Sequence, residues 1–409
     1  MPFPTISQPI LIQAIGRGLY QCASAILLFY LPIVFVNYGS LTATQVGLVM
    51  GGGAIAGFFG NFVGGAMTDS TRIGRRGTLI GAALLSIGAT LITACLTTLP
   101  WLLAANVCFG VGTGLYWTAA DATVMDATTE AERQSAFSIL GLCDNLGLAI
   151  GTLGGAWLLK HIQPEFQMFG VAAGIFGLML LLFAVGISTE TPVNIEPVDG
   201  LTGWKSAMND RRLVIYLVVN TLFITYLALV NSNLPLYLIN FQKLDEAVVS
   251  NLFTFGYVGL GALIQIPVVK AIARFSYLQS LILSIVIWGV GFGVVGLWHP
   301  LNSSFGTALL PLVIFAIATV IYKPTASAWI AAISPANLRG AYTAIAYQCW
   351  AIGYFIGPIA GGWALDQPEA VTHRFWITVG LSTTIGILTL RFLQQQPEST
   401  IEAISEEIT

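Results

Sequence analysis

The stretch LIQAIGRGLYQCASAILLFYLPIVFV (11–36) holds a single charged side chain, Arg17, in a run long enough to cross a bilayer as a helix. Reading outward from it, comparable apolar runs occupy 44–68, 77–98, 101–125, 134–159 and 167–187. A second set follows at 212–240, 247–272, 276–297, 305–331, 340–365 and 374–393. Each is close to the roughly 20 residues a helix needs to span the hydrocarbon layer. The expectation is therefore an all-α membrane protein with twelve transmembrane helices in two bundles of six.

Composition leads to the same place. Of 409 residues, 56% are hydrophobic and 9% charged, and the mean hydropathy is +0.81. That is more apolar surface than a domain dissolved in water can bury. A net charge of -3 lacks the concentrated basic face that nucleic acid requires. Cys22, Cys95, Cys108, Cys143 and Cys349 lie singly in apolar runs, so they read as packing residues. His161, His299 and His373 each stand alone in expected loops, and a tetrahedral metal site needs several convergent ligands. No metal or cofactor is expected, and no nucleophile–base pair or phosphate-cradling loop suggests an enzyme. Residues 1–10 lack a basic leader with a cleavage site, so the first apolar run is expected to stay as a helix.

The chain divides into an N-terminal bundle (1–187), a polar linker (188–210) with Pro192, Pro197, Gly200 and Gly203, a C-terminal bundle (211–393) and an acidic tail (394–409). Arg72, Arg75, Arg76, Arg133, Lys205, Arg211, Arg212, Lys270, Arg274, Arg339 and Arg391 fall at one end of the spans; Lys160, Lys243 and Arg374 fall at the other. The positive-inside rule then puts both termini, the linker and the tail in the cytoplasm, in a bacterial-type inner membrane.

The two halves repeat each other. A shift of 206 brings Tyr116 onto Tyr322, Arg133 onto Arg339, Gly147 onto Gly353, Gly151 onto Gly357, Gly155 onto Gly361 and Trp157 onto Trp363. A shift of 203 brings Leu31-Pro32 onto Leu234-Pro235. Internal repeats of this kind are built into transporter folds, with the substrate site near the midplane between them.

After the second run comes Gly65-Ala-Met-Thr-Asp69, then Arg72-Ile-Gly74-Arg75-Arg76. This resembles the loop signature between helices two and three of the major facilitator superfamily, with Ser70 and Thr71 lengthening the spacing. The resemblance implies a latch that holds the cytoplasmic side shut. In it Gly65 permits close helix approach and Asp69 accepts hydrogen bonds at a neighbouring helix N-terminus. Gly147, Gly151, Gly154 and Gly155, and Gly353, Gly357, Pro358, Gly361 and Gly362, resemble a glycine–proline signature that the family's drug:proton antiporters carry in helix five. Here the complete pattern lies in span eleven, and Thr152 replaces the proline in span five. Small residues at helix contacts explain both runs equally well. The antiporters' helix-four arginine is missing, with Asn106 as the nearest candidate position. Met208–Arg212 and the 271–275 loop also resemble the multidrug:proton antiporters of the MdtH-like branch.

Ionisable groups inside a span are costly and mark function by default. Arg17, Asp121, Asp144 and Lys323 qualify. Arg17 and Asp121 lie at matching depth and are expected to pair. Asp144, near the midplane, is the first choice for proton coupling, with Asp121 beside it, because burying a carboxyl group favours its protonated form. Lys323 is expected to neutralise Asp144 in one conformation. The expected pathway is lined by Arg17, Lys323, Tyr20, Gln21, Tyr116, Trp117, Tyr322, Asn220 and Gln348, with Gln13, Asn231, Asn233, Tyr347 and Trp350 as further candidates; this mixture suits amphipathic organic molecules. The leading expectation is a monomeric secondary carrier that exports such compounds against protons. Uptake of a nutrient or organic anion is the alternative, because Arg17 and Lys323 put two cations in the pathway, and a lipid flippase of the same fold is a further one.

Overall fold

The computed structural model describes residues 8–187, 200–297, 305–335 and 338–395. The N-terminal half comprises α1 (Gln8–Asn37), α2 (Ala43–Thr68), α3 (Gly74–Cys95), α4 (Leu99–Asp126), α5 (Glu130–His161) and α6 (Met168–Gly186). A short helix, α7 (Gly200–Asn209), lies within the segment read as a linker. Then follow α8 (Arg211–Asn240), α9 (Glu246–Ile272), α10 (Tyr277–Gly296), α11 (Phe305–Ile333), α12 (Arg339–Leu365) and α13 (Glu369–Gln394). Linker residues 188–199, the tail beyond Gln395 and His299 lie outside the described residues.

Helices are what a lipid-facing chain can form, because every backbone donor and acceptor is satisfied within the segment. Eleven of these helices are long and apolar enough to cross a membrane. The twenty-seven-residue α12 is not among them, since its tyrosines, Gln348 and glycines lower its hydropathy. Leu263, Ile266, Phe255, Leu388 and Val185 are exposed on the outer faces, which is costly in water and neutral against acyl chains.

Local chemistry sets the helix ends. Thr42 with Gln45, Thr129 with Glu132 and Ser276 with Gln279 form capping boxes, and Asp210 and Asp245 cap α8 and α9. Gly74 opens α3 at φ +61°, a left-handed conformation that favours glycine. In α8 the turn Leu229–Asn233 widens to a π-helix just before Pro235, which has no N–H to continue the α ladder.

Each half has its own apolar core. α1 packs on α5 and α2 on α4; in the second half α8 packs on α12 and α10 on α11 and α13. Glycines bring the backbones together: a Cβ on Gly147 would lie 2.2 Å from the Gly18 carbonyl, and one on Gly110 would lie 1.9 Å from that of Gly53. The repeat is also visible in the stacking. Tyr20 stacks on Tyr116 at 3.9 Å, and the counterparts Phe223 and Tyr322, at shifts of 203 and 206, stack at 4.2 Å.

Described hydrogen bonds between the halves cluster at the end opposite the arginines. Asn240 donates to Asn37 at 2.9 Å and Tyr38 to Glu246 at 2.8 Å. Deeper, the Tyr30 hydroxyl donates to the Thr152 carbonyl and meets Ser250, which also donates to Thr152. Asp366, ending α12, accepts from the backbone N–H groups of Ala43 and Thr44, each at 2.8 Å, at the start of α2. None of the described hydrogen bonds joins the halves at the arginine-rich end, so the cleft between them is closed here and opens there.

Candidate functional site

Arg17 is the tenth residue of the thirty-residue α1, with its guanidinium held from three directions. Nε and Nη2 donate to the Asp144 carboxylate of α5 at 2.9–3.2 Å. Nη1 donates to Asp121 of α4 at 3.1 Å. The Trp117 ring of α4 lies under it, 4.6 Å from centroid to Cζ. The Arg17–Asp121 pairing expected from matching depth is present, and Asp144 joins it. Close approach of α1 and α5 at Gly18 and Gly147 is what lets the short Asp144 side chain reach.

Exposure differs sharply across the triad: 8% for Arg17 as a residue, 16% for the Asp144 side chain and 42% for that of Asp121. Arg17 is therefore consumed, while Asp121 keeps a carboxylate oxygen facing the cleft. One guanidinium against two carboxylates leaves the cluster with net charge -1 when both acids are ionised. Tyr347, 62% exposed on α12, lies within electrostatic reach of Asp121 and Arg17 from the other half. Trp350 stacks on Tyr354 one turn further along.

Lys323 does not meet Asp144 in this conformation, where the partner of that carboxylate is Arg17. Its side chain is exposed although it lies deep in the molecule, as for a group lining a wet cleft. Among the described residues it has no ion pair. At the 206 shift it occupies the place of Trp117, and Asn220 the place of Arg17 at the 203 shift. The first half has thus elaborated an ionic cluster where the second keeps a neutral one. There the Asn220 side chain accepts from Tyr322 at 2.7 Å and donates to the Ala346 carbonyl at 3.3 Å.

Several expected lining residues are one layer back. Tyr20, Tyr116, Tyr322 and Asn220 are buried inside their bundles, with Tyr20 donating to Thr113 at 2.9 Å. Gln13 and Asn233 are buried too, and Asn231 donates to Tyr354. Gln21 and Gln348 are half-buried, Gln348 bonding the Ala344 carbonyl of its own helix. Asn106 is buried against Gly53. An apolar groove lined by Ile215, Val218, Leu388, Thr389 and Phe392 lies between α8 and α13, away from these charges, and suits acyl chains.

At the arginine-rich end the motif residues separate. Gly65 has open space where a Cβ would point, so it makes no close approach; that role falls to Gly64, against Leu115 and Thr118 of α4. No described hydrogen bond reaches the Asp69 carboxylate, which is exposed. Arg75 instead pairs with Asp126 at the end of α4, and Arg76 donates to the Ala184 carbonyl of α6. Arg72 is exposed, its backbone N–H bonded to Ser70. Asp126 and Asp366 carry no motif, so sequence reasoning passed over both; their only signal was their position at helix ends.

A two-bundle helical fold with internal repeats and an ionic cluster in the cleft finds its match in known proteins. Residues 14–274 and 243–407 match the Major Facilitator Superfamily. The chain belongs to that family of transporters. It is 28% identical to multidrug resistance protein MdtH of Photorhabdus laumondii subsp. laumondii over 349 residues, 81% of this chain and 80% of that one. It is 25% identical to MdtH of Salmonella paratyphi B over 369 residues, 88% of each. Among solved structures, the nucleoside transporter NupG superposes with a TM-score of 0.81 at 12% identity, covering 96% of this chain and all of that one. A proton-dependent oligopeptide transporter superposes at 0.75 and 13%, with the same coverage. At such identities the superpositions speak for the fold alone. The chain is a multi-pass membrane transporter.

Proposed function

We propose that this carrier exports small amphipathic organic compounds from the cytoplasm in exchange for protons, by alternating access, with its arginine-rich end in the cytoplasm of a bacterial-type inner membrane. The observation that carries the reading is Arg17 shared between Asp121 and Asp144. With both acids ionised, Asp144 holds Nε and Nη2 of the guanidinium and Asp121 only Nη1, so Asp121 presents negative charge to the cleft. A proton on Asp144 removes its claim on Arg17, which then serves Asp121 alone and cancels that charge. Proton binding at one carboxyl and cation binding at the other therefore exclude each other, which is the requirement for exchange. The MdtH relatives, named for multidrug resistance, agree with export.

The rival idea of an organic anion loses one of its two cations, since Arg17 is outnumbered by its own partners. Flux in proteoliposomes under an imposed pH gradient tests the reading. Wild type should move amine-bearing amphiphiles against proton entry. Asp144→Asn, a mimic of the protonated state, should lose gradient-driven flux and its pH dependence. Unchanged pH dependence in Asp144→Asn would remove Asp144 from the coupling step.

A further inference from the structure

The charges of the cleft are separated by half. On the N-terminal side the Arg17 cluster leaves one net negative charge, presented by Asp121. On the C-terminal side Lys323 stands exposed, with no ion pair among the described residues. The repeat sets Lys323 where the other half has Trp117, the residue against Arg17, so the two poles face one cleft from opposite walls. Summed over Arg17, Asp121, Asp144 and Lys323, the cleft is neutral and dipolar.

We infer that the exported compound is a zwitterion: an aromatic or otherwise apolar body carrying an ammonium group that docks on Asp121 and an acidic group that docks on Lys323. This rests on the exporter reading above and names its substrate class. A simple cation would satisfy Asp121 and leave Lys323 unpaired in a site closing away from water, and a simple anion would do the reverse. An enclosed charge without a partner is strongly disfavoured, whereas a dipolar ligand pairs both. For the body between the two ends, exposed Tyr347 and Trp350 and half-buried Trp117 supply aromatic surface, beyond the faces that Tyr354 and Arg17 already cover. Alternating access adds a further reason. Lys323 and Asp121 belong to different bundles, so a ligand bridging them draws the halves together, while a ligand on one wall does not.

The test uses binding without a gradient, so that it is independent of proton exchange. Thermal unfolding of the purified full chain in detergent is followed with matched triplets: tryptamine, tryptophan and indole-3-propionate, then phenethylamine, phenylalanine and 3-phenylpropionate, and a longer dipole, 4-(aminomethyl)phenylacetate. In wild type a zwitterion should bind roughly tenfold or more tightly than the cation and the anion of its scaffold, the worth of one charged hydrogen bond. Lys323→Gln should erase the advantage over the cation, and Asp121→Asn the advantage over the anion. Each comparison is a ratio within one variant, so a stability change from the substitution cancels. If the amine alone binds as well as the zwitterion in wild type, if no zwitterion binds, or if Lys323→Gln leaves the ratio unchanged, the inference is wrong. A kept zwitterion preference with no pH-driven flux refutes proton exchange instead, and leaves the substrate class standing.

Discussion

Replacing Asp366 with alanine isolates the closure at the end opposite the arginines. The first turn of α2 has four backbone donors that its own helix cannot satisfy. The Thr42–Gln45 box accounts for the N–H groups of Thr42 and Gln45. Asp366, reaching over from α12, accepts from the remaining pair, Ala43 and Thr44, and from the Thr44 hydroxyl. Loss of a capping side chain costs about 1 kcal/mol, and a negative charge at a helix N-terminus adds a few tenths. Asp366 is exposed, so solvent screening keeps the sum near 1.4 kcal/mol rather than higher. These bonds exist only while that end is closed, so the whole effect falls on the conformational equilibrium, a shift of about tenfold toward opening. Nitroxide labels at Ser40 and Ala370, both exposed and in different halves, report it by pulsed electron resonance once the native cysteines are replaced. A longer-distance population should grow about tenfold in the variant. Superimposable distance distributions for wild type and Asp366→Ala would refute the assignment of this contact as a latch.

Two further predictions concern the interior. Arg17→Gln leaves two carboxylates without their cation and should cost roughly 3–5 kcal/mol of stability, whereas adding Asp144→Asn should return part of it, a non-additivity of about 0.5–3 kcal/mol visible in thermal unfolding. Strict additivity would mean the groups act separately. Gly64→Ala should destabilise by about 1–3 kcal/mol, because the new Cβ would lie 2.9 Å from the Leu115 backbone; Gly65→Ala, with nothing within 4 Å, should melt with wild type.

The spans were legible because a bilayer imposes one length and one composition on every crossing, so boundaries read from apolar runs fall within a few residues of the helices. Arg17–Asp121 was legible for a similar reason: depth in a helix is counted at a fixed rise per residue. The place of Asp144 was not, since which neighbour a helix turns its acid toward depends on rotation, and rotation here is set by the Gly18–Gly147 contact. Helix rotation likewise hid Tyr20, Tyr116 and Tyr322, aromatic residues that look like a ligand wall in sequence and stack as bundle core. Asp126 and Asp366 escaped because a lone acid at a helix end is ordinary until its partner helix is known.

The α2–α12 pair carries one acid at each end of the molecule. α2 ends at the arginine-rich side in Asp69, the side on which α12 begins; α12 ends at the other side in Asp366, over the start of α2. The pair belongs to different halves, so rocking that brings one acid onto its helix terminus draws the other away. Here Asp366 is engaged and Asp69 is exposed, with no described hydrogen bond to its carboxylate. An unengaged Asp69 is what the family resemblance requires of a conformation open on that side, since the latch it implies holds that side shut. It follows that Asp69→Ala and Asp366→Ala should move the same equilibrium in opposite directions, with the labels at Ser40 and Ala370 closing further in the first and opening in the second. The double variant should return toward the wild-type distribution. If both single variants open the same end, the two acids do not share one equilibrium, and the reciprocal arrangement is packing rather than mechanism.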